Sequence, residues 1–432
     1  MNDENEIKEN NKNNDNIGIN KEIKKKSKKN KNSKSKNKIH LQEESKNIII
    51  NNEIDEPIEL IQLKEEIRKK EKKLKKLDPL HFEFINNLEK SENNFRVDNT
   101  FEIFNSVQGY ICLVYAYRLL DKYNSIATYN IIDNKTICLM KNVHKEDITN
   151  FRHYLDKNKN RDLILSISAT DNNVKMWDFN NMEYLLTIKN INRHGFIKSA
   201  CILNFNHNLY IATSNYSYSE IPEPIRLYNL EGYKIKEINY KNNQTFFIDI
   251  YNDRQFDIVY IITGNFGFVR TYNYTNDCKY HRYNDGNEYY EHYKVIIYNK
   301  SDEPKIIAAG KERVVLIWDF HSTELLNKIK ISDVNYDNIY GICLWNKKFL
   351  FVGCGKTLNV IDIENETVVN TLNGHGNNII TIKTVIHPRY GECVISQELY
   401  TGQMKLWANQ VNKINSIINS LYEKIKLLII MK

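Results

Sequence analysis

A short strand recurs seven times along this chain, each copy ending in an aromatic or apolar residue and usually Asp or Asn. VKMWDF ends at Trp177-Asp178-Phe179 and VVLIWDF at Trp318-Asp319-Phe320, while QMKLWAN keeps Trp407 but replaces the acid with Ala408. Weaker copies end at Tyr129-Asn130, Tyr228-Asn229, Tyr272-Asn273 and Ile361-Asp362. From marker to marker the steps are 48, 51, 44, 46, 43 and 46 residues. A period just above ~40 residues, holding four short strands, is the pattern of a β-propeller. A single Trp-Asp pair arises by chance; seven strands in step do not. The expected fold is all-β with seven blades, over residues 98–409.

Composition fits that frame and isolates one unusual segment. The 28 Tyr and 17 Phe against 4 Trp, with abundant Ile, suit strands. Residues 21–38 hold ten Lys against one Glu, a charge of +9, so a chain of net +7 leaves −2 for the remainder. A near-neutral propeller argues against a uniformly basic nucleic-acid platform. The Lys-rich segment reads as a solvated tail, with a nuclear address or a tether to RNA or anionic lipid as alternatives. The seven cysteines (112, 138, 201, 278, 343, 354 and 393) form no CxxC pair and fall mostly in apolar strands. Reduced, buried thiols in a cytoplasmic or nuclear protein are expected. No apolar run is long enough to span a bilayer, and the polar N-terminus carries no secretory signal.

Residues 1–55 are rich in Asn, Lys and Glu and almost free of aromatic residues, so they are expected to be disordered. Residues 56–79 read as a helix opened by Pro57 and stopped by Pro79. Leu60, Leu63, Ile67, Leu74 and Leu77 are spaced as a short seam, with Lys70 in the missing position. That seam predicts either a dimerising coiled coil over 58–77 or a helix lying on the propeller or standing free in solvent. In the tail 410–432, Ile414, Ile417, Ile418 and Leu421 are spaced helically. The outer strand of the seventh blade is missing from the pattern. It is expected either from this tail or from the N-terminal side, near Thr100–Ser106.

The repeats resemble the WD40 family over roughly residues 100–409. In that family, Gly-His, a strand Ser or Thr, a turn Asp and the Trp of Trp-Asp form a hydrogen-bonded chain within the blade. Blade 2 matches best: His144 lies 33 residues before Trp177, Asp171 sits in the turn, and Ser166 or Ser168 (Ser168 preferred) supplies the hydroxyl. Gly374-His375 lies 32 residues ahead of Trp407, but the turn position holds Thr401, so an incomplete chain is expected there. His194 precedes Tyr228 more loosely, and blade 5 has Glu312 at the acid position. What the resemblance implies for His144, Ser168, Asp171, Trp177, Asp178, Trp318, Asp319, His375 and Trp407 is a structural role, because a buried indole N–H and carboxylate need partners.

No phosphate loop, HExxH, nucleophile elbow or kinase signature is present, and the 11 histidines lack ligand spacing. GNFGFV (Gly264–Val269) lies between two strands and is read as a turn. Neither Trp-Asp pair continues as the WDxR of ubiquitin-ligase receptors, and NFRHY does not match the FRRG of phosphoinositide-binding propellers. The expectation is a non-enzymatic scaffold for proteins, without metal or cofactor. The unusually aromatic link between blades 4 and 5 (Tyr280, His281, Tyr283, Tyr289, Tyr290, His292 and Tyr293) is the expected contact region.

Overall fold

The computed structural model describes residues 57–430 apart from 79, 89–95, 119–123, 134, 190–194, 218–222, 240–243, 288, 301 and 333–337. The Lys-rich segment 21–38, the rest of 1–55, Pro79 and His194 lie outside the described residues, as does the side chain of Glu312.

Seven four-stranded antiparallel sheets form a seven-bladed β-propeller. The innermost strands of blades 1 to 7 are Arg96–Asn105, Asn150–Asp156, Gly195–Phe205, Thr245–Asp253, His292–Lys300, Gly341–Trp345 and Ile379–His387. They neighbour one another in turn around a central channel, blade 7 returning to blade 1. The period-two alternation of the strands is what packs the ring. In Phe349–Cys354 of blade 6, Leu350 and Val352 face blade 5, in a cluster with Ile317 and Val315. Phe351 points the other way, into a cluster with Val394 and Trp407 of blade 7. Every gap between blades holds such a cluster, so second strands are buried on both faces and read as continuous apolar runs.

The markers sit where each blade bends. At Tyr129, Trp177, Tyr228, Trp318, Ile361 and Trp407 the pairing with the outermost strand shifts by one residue. The extra residue on the outer strand is Ile137, Leu185, Ile235, Leu326, Val369 or Ile85, respectively: aliphatic in every case. A bulge adds right-handed twist to the outer strand. Blade 4 is the exception, its pairing running on from Tyr272–Tyr280 without a shift.

Blade 7 is closed from the N-terminal side, by Phe82–Leu88 pairing antiparallel with Met404–Asn409. Of the two expected donors the N-terminal side supplies the strand, though from Phe82–Leu88 rather than near Thr100–Ser106: Thr100–Asn105 belongs to the innermost strand of blade 1, and the C-terminal tail is helical. Phe82 is the anchor, its ring centroid 5.0 Å from those of both Trp345 and Phe351. The Gln410 N–H donates to the His81 carbonyl (2.9 Å) and Asn370 Nδ2 to the Leu80 carbonyl (2.8 Å), so the junction is hydrogen-bonded on both sides. The two ends of the ring therefore lock in one sheet, which leaves no open inner edge.

Helix α1 spans Ile58–Leu74 and helix α2 spans Gln410–Ile430. Asn409 caps α2, its Oδ1 accepting from the Asn412 N–H at 3.1 Å. Ile414, Ile418, Leu421 and Ile425 form its buried stripe. Tyr422 donates to Glu71 on α1. Of the seam positions, Leu60 and Ile67 are buried. Among the described residues no helix is long and apolar enough to cross a membrane. All seven cysteines are free, and burial pushes the Cys112 and Cys393 thiols up to about 12.

Candidate interaction surface at the channel mouth

The polar side chains at the Trp-marked positions are joined by buried hydrogen bonds. In blade 2, Trp177 Nε1 donates to Ser166 Oγ (3.0 Å), which lies 2.9 Å from His144 Nε2. Asp171 Oδ2 lies 3.6 Å from His144 Nδ1 and accepts from the Lys145 N–H at 2.6 Å. The hydroxyl of this chain is thus Ser166, not Ser168. Ser168 stands at the strand end, beyond the reach of the indole, and its Oγ takes the Asp171 N–H (3.3 Å). His144 is buried, and burial first, then Lys175, lowers its imidazole to about 4 despite Asp171. It is neutral at pH 7.

Blade 7 completes the same chain with a different acid. Trp407 Nε1 donates to Ser396 Oγ (2.8 Å), Ser396 lies 2.6 Å from His375 Nε2, and His375 Nδ1 is 3.1 Å from Glu398 Oε2. Thr401 was expected to leave this chain incomplete; instead its hydroxyl donates to Glu398, which also accepts from the Gly376 N–H at 2.9 Å. Relative to blade 2, acid and hydroxyl have exchanged places: Ser168 and Asp171 in one, Glu398 and Thr401 in the other. The longer Glu reaches from the strand to where the turn Asp would stand.

The remaining markers are held by other hydrogen bonds. Trp318 pairs with Ile306, so Ala308 and Gly310 stand where blade 2 has Ser166 and Ser168, and its indole donates to the Asn284 carbonyl at 3.2 Å. Asp178 accepts from Arg161 (3.1 Å) and the Asn180 N–H (3.1 Å). Asp319 accepts the His321 and Ser322 N–H groups at 3.0 and 2.7 Å, capping its turn.

The aromatic link between blades 4 and 5 divides sharply. Tyr283 is fully buried, its hydroxyl donating to the Phe320 carbonyl at 2.7 Å, and Tyr290 is buried beneath Lys328. Both belong to the core between blades 4 and 5, so neither presents a surface to a partner. His292 is buried as well, 6.1 Å ring to ring from Trp318. Tyr280, His281 and Tyr289 are exposed. Tyr293 is the member of this link that reaches the channel.

Four bulges create the channel mouth. In blades 3, 4, 5 and 7 the innermost strand carries one extra residue near its start, and these are Lys198, Phe246, Tyr293 and Ile380. All four line one cavity of about 520 Å³ to which every blade contributes. A bulge re-aims a side chain that the pleat would otherwise send into a blade gap. Neighbouring rings then form an unbroken arc. Phe196 to Tyr216 is 5.2 Å, Tyr216 to Phe246 is 5.3 Å, Phe246 to Tyr293 is 5.6 Å, and Tyr293 stacks on Tyr340 at 5.2 Å. At Gly310 a side chain would meet the Glu291 carbonyl at 1.6 Å, so only glycine lets blade 5 bring Glu291 and Tyr293 to the rim.

Charge lies beneath and beside the rings. Arg152, Lys198, Lys294 and Lys383 reach inward from innermost strands, together with Glu102, Asp249 and Glu291 or its flanking link. Burial pushes the Lys294 ammonium down to about 7, with Arg152 and Lys383 adding to the effect against Glu102 and Asp249. Of the bulged residues only Tyr293 is marked in the sequence, as part of the aromatic link, because a bulge depends on the partner strand's register. Among the described residues no group of three or more His, Cys, Asp or Glu is placed to hold a metal ion.

No protein-family model matches the chain, and no curated protein matches it. The fold is therefore established by the seven sheets alone. Propellers commonly serve as rigid frames for protein interaction.

Proposed function

We propose that this chain is a non-enzymatic scaffold of WD40 type that takes a protein partner at the channel mouth. The observation carrying this reading is the set of four bulges, which turn Lys198, Phe246, Tyr293 and Ile380 out of the blade gaps and into one cavity. Aromatic residues on a rigid closed frame give contact area at small entropic cost. Exposed Tyr280, His281 and Tyr289 form a neighbouring patch that widens the contact. Affinity purification with mass spectrometry tests this, comparing wild type with Phe246→Ala/Tyr293→Ala and with Tyr280→Ala/Tyr289→Ala. Loss of partners in the first variant supports the mouth; partners retained by both would refute it.

A second reading rests on the ten Lys of residues 21–38, which suit RNA or anionic lipid. Deleting 21–38 then abolishes that association, and the association weakens steeply with salt. Salt-insensitive binding counts against it.

A further inference from the structure

We propose that the channel mouth receives an acidic segment of the partner, a carboxylate side chain entering towards Lys198 and Lys294 while the aromatic arc holds its apolar neighbours. This deepens the scaffold reading and rests on it.

Lys383 Nζ lies 2.9 Å from Glu102, and Arg152 lies 4.0 Å from Asp249 while also donating to the Ile248 carbonyl. Glu291 is 3.5 Å from Lys311 and accepts from the Tyr293 hydroxyl. Each carboxylate at the channel therefore has its cation elsewhere. Among the described residues Lys198 and Lys294 form no direct ion pair; Lys294 lies 5.7 Å from the face of Phe247, and Glu102, Asp249 and Glu291 act on the two ammoniums only at longer range. A half-buried ammonium without a counter-ion is costly, and an incoming anion relieves that cost. The surroundings agree. Burial lowers the Lys198 ammonium too, with Glu291 opposing, and Lys294 stands at about 7 among Arg152, Lys383, Glu102 and Asp249.

The occupant is a chain segment rather than a free ion because of size and lining. A cavity of about 520 Å³ walled by Phe196, Tyr216, Phe246, Tyr293 and Tyr340 is in the range of sites that take organic ligands, far larger than one small anion fills. The rings match apolar residues flanking the acid, and the cations match the acid itself. Binding must also move a proton. With its ammonium pushed down to about 7, free Lys294 loses its proton progressively as pH rises through that value, so an anion that restores its charge binds with proton uptake. Affinity then falls as pH rises from 7 to 9, by up to about tenfold per unit.

A random peptide library displayed on phage and selected on the full-length protein at pH 7 tests this. The proposal expects enriched peptides to carry Asp or Glu beside apolar residues. It expects Lys198→Gln/Lys294→Gln, checked for an unchanged melting temperature, to bind them at least about tenfold more weakly. It expects Lys294→Gln to flatten the pH dependence. Acidic peptides held equally by Lys198→Gln/Lys294→Gln would overturn it. Neutral or basic peptides, lost on Phe246→Ala/Tyr293→Ala, would overturn the acidic occupant but keep the mouth as the contact face. Inorganic phosphate binding as tightly as the peptides would make the occupant a free anion instead. No enrichment of any peptide would overturn both the occupant and the face.

Discussion

Glu398 reaches His375 from within its own strand, Oε2 to Nδ1 at 3.1 Å, where blade 2 holds His144 from a turn through Asp171. The two arrangements are related by an exchange of acid and hydroxyl three residues apart. Replacing Glu398 with Ser leaves the His375 ring, the Thr401 hydroxyl and the Gly376 N–H short of an acceptor. The expected loss is about 2–3 kcal/mol in urea unfolding. Adding Thr401→Asp rebuilds the blade 2 arrangement and is expected to recover at least half. A double variant no better than Glu398→Ser would show that the two positions are not interchangeable.

Ser166 and Ser168 make a sharper pair. Ser166 serves both the Trp177 indole and His144, whereas Ser168 takes one turn N–H at 3.3 Å. Ser166→Ala is expected to cost about 2 kcal/mol and Ser168→Ala less than about 1. Equal losses in denaturant titration would contradict the assignment.

Buried histidines set the acid limit. His144 and His292 are each lowered to about 4 by burial, from an ordinary value of 6.5. Between those values the unfolded chain binds protons that the folded chain does not, so stability falls as pH drops from 6.5 to 4 and is unaffected by these groups above 6.5. The slope approaches about 1.4 kcal/mol per pH unit for each histidine in mid-range. His144→Gln flattens it; a variant with the wild-type slope would assign acid sensitivity elsewhere.

Closure predicts a fourth result. Phe82 packs on Trp345 and Phe351, and its strand is the only partner of Met404–Asn409 on the outer side. Phe82→Ala is expected to cost about 3–5 kcal/mol. Removing residues 1–88 exposes an edge and is expected to give aggregates on size-exclusion chromatography. A monomeric, fully stable truncated chain would contradict the closure.

The ring was legible in the sequence because its markers are large side chains buried between blades, and Trp177, Trp318 and Trp407 stand out against a polar background. Phe82–Leu88 was not, since FEFINNL alternates weakly and its partner lies over three hundred residues away. Glu398 was hidden because the acid was sought in the turn, at Thr401, rather than on the strand. Lys198 and Phe246 were hidden for a different reason: each sits in a strand whose alternation places it in a blade gap until a bulge turns it, and Tyr293, bulged in the same way, was visible only as one ring of the aromatic link. Tyr283 and Tyr290 show the converse, aromatic enrichment that serves the core.

Hydrogen-exchange mass spectrometry of the full chain, alone and with a partner captured through it, reads out which face the partner covers. New protection is expected at the starts of the innermost strands that carry Lys198, Phe246, Tyr293 and Ile380. Protection confined to the outer strand Lys279–Tyr283, or to the closing strand Phe82–Leu88, with the mouth exchanging as in the free protein, would contradict it.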